Sequence, residues 1–258
     1  MVTGLEIFVE HFEGMEESYI LIGGAACDLW MGRYGLPFRV TKDLDVVLII
    51  ESLDAHFIER FWVFIEKAGY STQLTNNGTP ALFRFSNPRI VGYPELIELF
   101  CRQPFALPEG SRLAPFPAGD DQHSLSVILI EAEYYEFVIG NRTIVDDVPA
   151  VPASCLIPLK AKAFLNLTAQ RRVDEGSVQM DHIKKHRNDV FRLLMTLTPD
   201  DRFDLPDTIK GDMQTFLDEL PTGSSVWKDI RKSVNNPTLP DTEELMSLIE
   251  GIFQLSHR

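Results

Sequence analysis

Asp43 and Asp45 stand two positions apart at the head of "DLDVVLII". The apolar run behind them predicts a strand. Alternate strand residues share a face, so both carboxylates emerge on the same side. Two carboxylates held together raise one another's pKa unless positive charge lies between them. A divalent cation answers that need, and hard oxygen ligands select magnesium or manganese. Such ions hold triphosphate oxygens and, as a pair about 3.5–4 Å apart, stabilise in-line displacement at phosphorus. The plainer reading is a solvated strand start, with Lys42 or Arg39 neutralising the acids. Upstream, "YILIGG" is an apolar run that ends in Gly23 and Gly24 and leads into a short predicted helix. Glycines there let backbone N–H groups approach a phosphate; a tight turn explains them equally well.

Taken together, "IGGAACDLWMGRYGLPFRVTKDLDVVL" resembles the motif of the nucleotidyltransferase superfamily. Its form is similar to that of the AbiEii/AbiGii toxin-like (MenT-like) branch, which has a second glycine where many relatives have serine and an Arg-x-Thr before the acids. The resemblance runs from about Tyr19 to Leu194. It implies a metal held by Asp43, Asp45 and a third acid on a later strand. "YPELIELFCR" offers Glu95 and Glu98, which are three apart and face opposite ways in a strand. Glu98 is taken as the third ligand, because its charge sits among apolar neighbours and needs a partner. Glu95, nearer the strand start, reads as solvated. The resemblance also implies that Gly23 and Gly24 approach the phosphates and that Arg39 and Thr41 brace the acidic strand or touch the nucleotide.

Downstream, "LIPLKAKAFLNLTAQRR" and "DHIKKHRNDVFRLL" resemble the C-terminal pattern of the same branch, and Lys160 and Asp189 carry over as functional positions. Lys162 is the alternative to Lys160, since two lysines two apart cannot share a helix face. The implied activity is transfer of a nucleoside monophosphate from an NTP to an acceptor hydroxyl on RNA or protein, with Mg²⁺ or Mn²⁺. The implied setting is a toxin, paired with an antitoxin or acting in phage defence. The competing expectation is a binding module on the same fold that holds a nucleotide or a partner without turnover.

His182 and His186 lie i, i+4 on one predicted helix face. They form a possible metal pair but lack a third ligand nearby. A basic face with Lys184, Lys185 and Arg187, able to hold phosphates, fits the segment better. Solvated helix charge is the mundane version.

The elements that must position these groups follow from periodicity. Residues 4–14 and 51–70 predict amphipathic helices, the second with Ser52 as N-cap, Phe57, Phe61, Phe64 and Ile65 on its stripe, and Gly69 as its stop. "YSTQLT", "ALFRFS", "YPELIELFCR" and "LSVILI" predict strands, and "EAEYYEFVIGN" a short helix. "NNGTP" and "EGSRLAPFPAGDDQHS" read as loops, and "RTIVDDVPAVP" as a hairpin or linker. From about residue 150 the pattern becomes helical, punctuated by Pro199, Pro206, Pro221, Pro237 and Pro240. The expected fold is α+β: a nucleotidyltransferase-like mixed twisted sheet flanked by helices over 1–150, then a helical bundle over 151–258, with the active cleft between the halves.

Composition sets the outer bounds. Apolar residues at 45% and charged residues at 24% are a globular balance. No apolar run approaches the ~20 residues of a membrane span. The acidic N-terminus is unlike a signal peptide, which points to a cytoplasmic protein. The net charge of −14 argues against a broad basic surface for nucleic acid and leaves room for a local one. Cys27, Cys101 and Cys155 are scattered and odd in number, and read as reduced packing thiols.

Overall fold

The computed structural model describes residues 2–74, 80–102, 113–116, 125–236 and 239–255. "NNGTP" and "EGSRLAPFPAGDDQHS" lie largely outside these residues, as does Pro237. The chain forms two compact units, Met1–Pro152 and Ala153–Arg258.

In the first unit, α1 (Leu5–His11) precedes β1 (Tyr19–Ile22), α2 (Gly23–Arg33), β2 (Asp43–Leu48) and α3 (Ala55–Ala68). Then come β3 (Ser71–Leu74), β4 (Pro80–Ser86), β5 (Leu96–Arg102), β6 (Leu113–Phe116) and β7 (Leu125–Ile130). The unit closes with α4 (Ala132–Gly140), β8 (Thr143–Val145) and β9 (Val148–Ala150). The sheet is mixed, in the order β3-β4-β5-β2-β1-β9-β8, with β7 pairing β5 and β6 pairing β7. β2 runs antiparallel to β1 and parallel to β5, which places the acidic strand in the interior of the sheet.

The two faces of these central strands differ, and sequence alternation is the cause. Leu44, Val46, Leu48, Ile97, Leu99 and Cys101 point to one face and are completely buried. An aromatic cluster covers that face. Phe8 and Phe12 of α1 meet Phe64 of α3 at 5.6 and 5.8 Å, and Phe61 of α3 meets Phe85 of β4 edge-on at 5.4 Å. Each buried ring contributes on the order of 1.5–3 kcal/mol through removal from water. On the other face the positions of Asp43, Asp45, Leu96, Glu98 and Phe100 are only partly covered.

Local signals mostly act as the sequence suggests. α3 buries Phe57, Phe61, Phe64 and Ile65 and stops at Gly69, whose φ of 66° is left-handed. Its cap is Asp54, not Ser52: the Asp54 carboxylate accepts from the Phe57 N–H at 2.8 Å. Ser52 is spent in the preceding turn, where its N–H bonds the Ile49 carbonyl at 3.0 Å. The "RTIVDDVPA" segment is a hairpin, with Asp146 and Asp147 both at positive φ. That is the geometry a two-residue turn needs to match strand twist. β6 is a strand where the proline-rich stretch suggested only loop. At the far end of β2, the Tyr135 hydroxyl of α4 accepts from the Ile50 N–H at 2.9 Å and donates to Glu51 at 2.8 Å, which ties the strand's exit in place.

The second unit is helical, and the whole chain is thus α+β: α5 (Ala153–Val173), α6 (Met180–Leu194), α7 (Asp207–Asp218), α8 (Val226–Val234) and α9 (Thr242–Ile252). Edge-on ring contacts join it, Phe164 to Phe216 at 5.3 Å and Phe191 to Trp227 at 5.2 Å. α9 opens with a reciprocal capping box between Asp241 and Glu244. The three cysteines are buried and free of disulfides. Among the described residues no helix is long and apolar enough to cross a membrane.

Candidate active site

Register builds the site. Asp45 of β2 lies directly opposite Glu98 of β5, and Asp43 opposite Leu96. In-register neighbours share a face, so all three carboxylates are on the partly open side of the sheet. On the far flank of β5, Arg84 of β4 lies opposite Glu98. One row across three strands therefore reads Arg84, Glu98, Asp45. Ile22 of β1 completes it by pairing with Asp45.

That last pairing explains the glycines. Gly23 follows Ile22 at a φ of 66°, and a methyl group added there would lie 1.6 Å from Asp45 Oδ2 and 2.9 Å from its Cβ. Rotating the carboxylate would not clear both atoms. A methyl group on Gly24 would stand 2.5 Å from the Thr41 hydroxyl oxygen. The Gly-Gly turn and the Arg-x-Thr-x-Asp-x-Asp segment are thus in direct contact, each residue of the first facing one of the second.

Electrostatics mark Glu98 as undercompensated. Burial and the nearby Asp45 push its carboxyl up to about 7; Arg84 opposes the rise and Asp43 adds to it. Arg84 Nε stands 3.6 Å from Glu98 Oε1. That is ion-pair range, beyond a hydrogen bond. Lys42 does not neutralise the pair: it alternates to the opposite side and holds Glu95 at 2.6 Å in an exposed ion pair. Glu95 precedes β5 and is solvated, as the spacing suggested. The Arg39 guanidinium lies over the Phe38 ring at 5.1 Å.

Three hard oxygen donors on one face, one of them raised by its acidic neighbours, suit a divalent cation in donor chemistry. The cage is not closed, however. Among the described residues no group of three or more His, Cys, Asp or Glu side chains stands in a metal-holding arrangement. The ion pair to Arg84 engages Glu98 from the flank away from Asp45. Among the described residues His182 and His186 belong to no metal-holding group of three or more either.

The downstream candidates lie in the second unit. Lys160 of α5 and Asp189 of α6 meet each other, Nζ to Oδ2 at 3.8 Å, both buried. Asp189 also accepts from Arg192 at 2.7 Å, and Arg192 in turn donates to Ser233. Lys162 points elsewhere and holds Asp212 at 2.9 Å. The stretch from Lys184 to Arg187 is not one basic face. Lys185 is exposed, Lys184 is partly exposed 3.9 Å from Asp229, and Arg187 is buried with its Nε donating to Asn188. Burial pulls the Arg187 pKa down, with Asp229 opposing. Helical phase turns Lys185 away from the other two, whereas Lys184 and Arg187, three apart, both lie toward Asp229 and differ in burial.

Arg84 is the residue that the sequence reading passed over. Its signal was available: a lone arginine between Phe83 and Phe85 in a strand, where a charge needs a partner on its own face.

No protein-family profile matches the sequence, and no curated protein matches it. Among solved structures, the chain is similar to the crystal structure of an antigenic nucleotidyltransferase-like protein from Paracoccidioides brasiliensis, with 16% identity, 87% of this chain and 90% of that chain covered, and a TM-score of 0.46. It is also similar to the solution structure of the antibiotic-resistance factor ANT(2'')-Ia, with 13% identity, 83% and 90% covered, and a TM-score of 0.40.

Proposed function

We propose that the chain is a metal-dependent nucleotidyltransferase that moves a nucleoside monophosphate from an NTP to an acceptor hydroxyl. One observation carries this reading: Asp45 is registered against Glu98 on an open sheet face, with Asp43 beside it and a glycine forced to face Asp45. In the reaction, the acceptor hydroxyl oxygen attacks the α-phosphorus and its proton passes to solvent. The bond from that phosphorus to the bridging oxygen breaks, and pyrophosphate leaves with the electron pair. Asp43, Asp45 and Glu98 would hold Mg²⁺ or Mn²⁺, which supplies charge neutralisation at the phosphate oxygens. Gly23 and Gly24 let Asp45 and Thr41 pack against the turn, whose backbone N–H groups would approach the phosphate. For Lys160 and Asp189, mutual burial supports a role in holding α5 to α6. Lys185 is free to meet solvent or a phosphate. The acceptor class, RNA or protein, and a toxin's place beside an antitoxin, follow from the sequence resemblance alone.

Arg84 against Glu98 favours a second reading, a non-catalytic module whose arginine stands in for the cation. The two readings part in a transfer assay with labelled nucleoside triphosphates, run against RNA and protein acceptors. The enzyme reading expects incorporation by the wild type and none by Asp45→Ala; equal incorporation by both sinks it.

A further inference from the structure

We infer that Arg84 is a phosphate-binding residue of the acid face, whose guanidinium leaves Glu98 for the β- and γ-phosphate oxygens of a bound triphosphate. The inference rests on the nucleotidyltransferase reading and adds to it a group that takes the leaving half of the substrate.

Placement is the first support. Arg84 pairs in register with Glu98 and shares the face of Asp45. Its present engagement is the second. Nε is buried and makes no hydrogen bond among the described residues, and Glu98 stands 3.6 Å away. The side chain as a whole is 40% exposed, so part of it is accessible to a ligand. A planar fork with an unused donor is the group that matches phosphate bidentately. Charge balance is the third. A fixed cation beside carboxylates opposes a divalent ion at the same carboxylates, so alone it is a liability. It becomes favourable when a polyanion joins the ion, and a triphosphate is such a polyanion. A positive group aimed at pyrophosphate also stabilises the charge that develops there as the bond breaks.

Calorimetric titration of the full chain tests this, first with MnCl₂ alone and then with inorganic triphosphate at saturating Mn²⁺. Arg84→Met is expected to bind Mn²⁺ alone several-fold tighter and triphosphate at least about tenfold more weakly than the wild type. Arg84→Lys keeps the charge without the fork, and is expected to show the same ordering with a smaller loss. A residue with a purely structural role would weaken both titrations together, and that result overturns the inference. So does unchanged triphosphate affinity in Arg84→Met, and in that case the enzyme reading survives if Asp45→Ala has lost both ligands. A wild type that binds neither Mn²⁺ nor triphosphate removes the reading and the inference together.

Discussion

Two sets of acids in this chain sit in different surroundings. Asp189 in the second unit is completely buried yet served by two cations, Lys160 and Arg192, and Arg192 is fixed in turn by Ser233. Glu98 in the first unit stands beside Asp45, only partly covered, with the Arg84 guanidinium 3.6 Å away on its other flank. A buried charge that is fully paired holds a fold together once built. A carboxylate pushed up by burial and by a like charge beside it is a candidate ligand site. The sequence offered both sets as functional, and their surroundings differ in this way.

The contrast breaks most sharply under removal of single acids. Asp45→Ala is expected to lower nucleotidyl transfer by about a hundredfold or more, since it strips a ligand and charge from the phosphate site. It also takes a like charge from beside Glu98, which by itself favours the fold. Asp189→Ala should do the reverse to the fold. It leaves Lys160 and Arg192 in the interior without their counter-charge, and a loss of about 3–5 kcal/mol in denaturant unfolding is expected. A loss under about 1 kcal/mol would erase the distinction drawn above.

Gly23→Ala sharpens the comparison from the backbone side. The substitution strains a positive φ and drives a methyl group into Asp45. A cost of roughly 1–3 kcal/mol is expected, together with weaker Mn²⁺ binding by calorimetry.

The pH dependence follows from Glu98. Its carboxyl titrates near 7 when folded, above its ordinary value of 4.5. Between those values the folded chain holds a proton that the unfolded chain has lost. Metal-free stability therefore falls as pH rises through that window and levels off above it. A cation needs the ionised form, so Mn²⁺ affinity should drop by up to about tenfold per unit below pH 7. Glu98→Gln should bind more weakly and flatten that profile; an unchanged slope would show that another group titrates. The smallest effect is reserved for the exposed Lys42–Glu95 pair. Lys42→Ala should change stability by less than about 1 kcal/mol and leave Mn²⁺ binding alone.

Much of this was legible in the sequence because it was local or periodic. Alternation in "LIELFCR" placed Glu98 on its face, and the 3.6-residue stripe of α3 named its buried rings. The Ser52 cap failed because two capping residues compete within three positions, and only the path of the turn decides between them. The split of Lys184, Lys185 and Arg187 needed the packing of α6, which a run of charges does not reveal. Arg84 was hidden for a different reason. Its partner is on another strand, and strand register is a long-range property that no window of sequence contains.

The approach of Gly24 to Thr41 has a consequence for how such chains diverge. With 2.5 Å between a would-be β-carbon and the threonine oxygen, a side chain at position 24 requires Thr41 to turn or to be replaced. A homologue bearing serine at the former should carry something shorter than threonine at the latter, or a differently routed linker after α2.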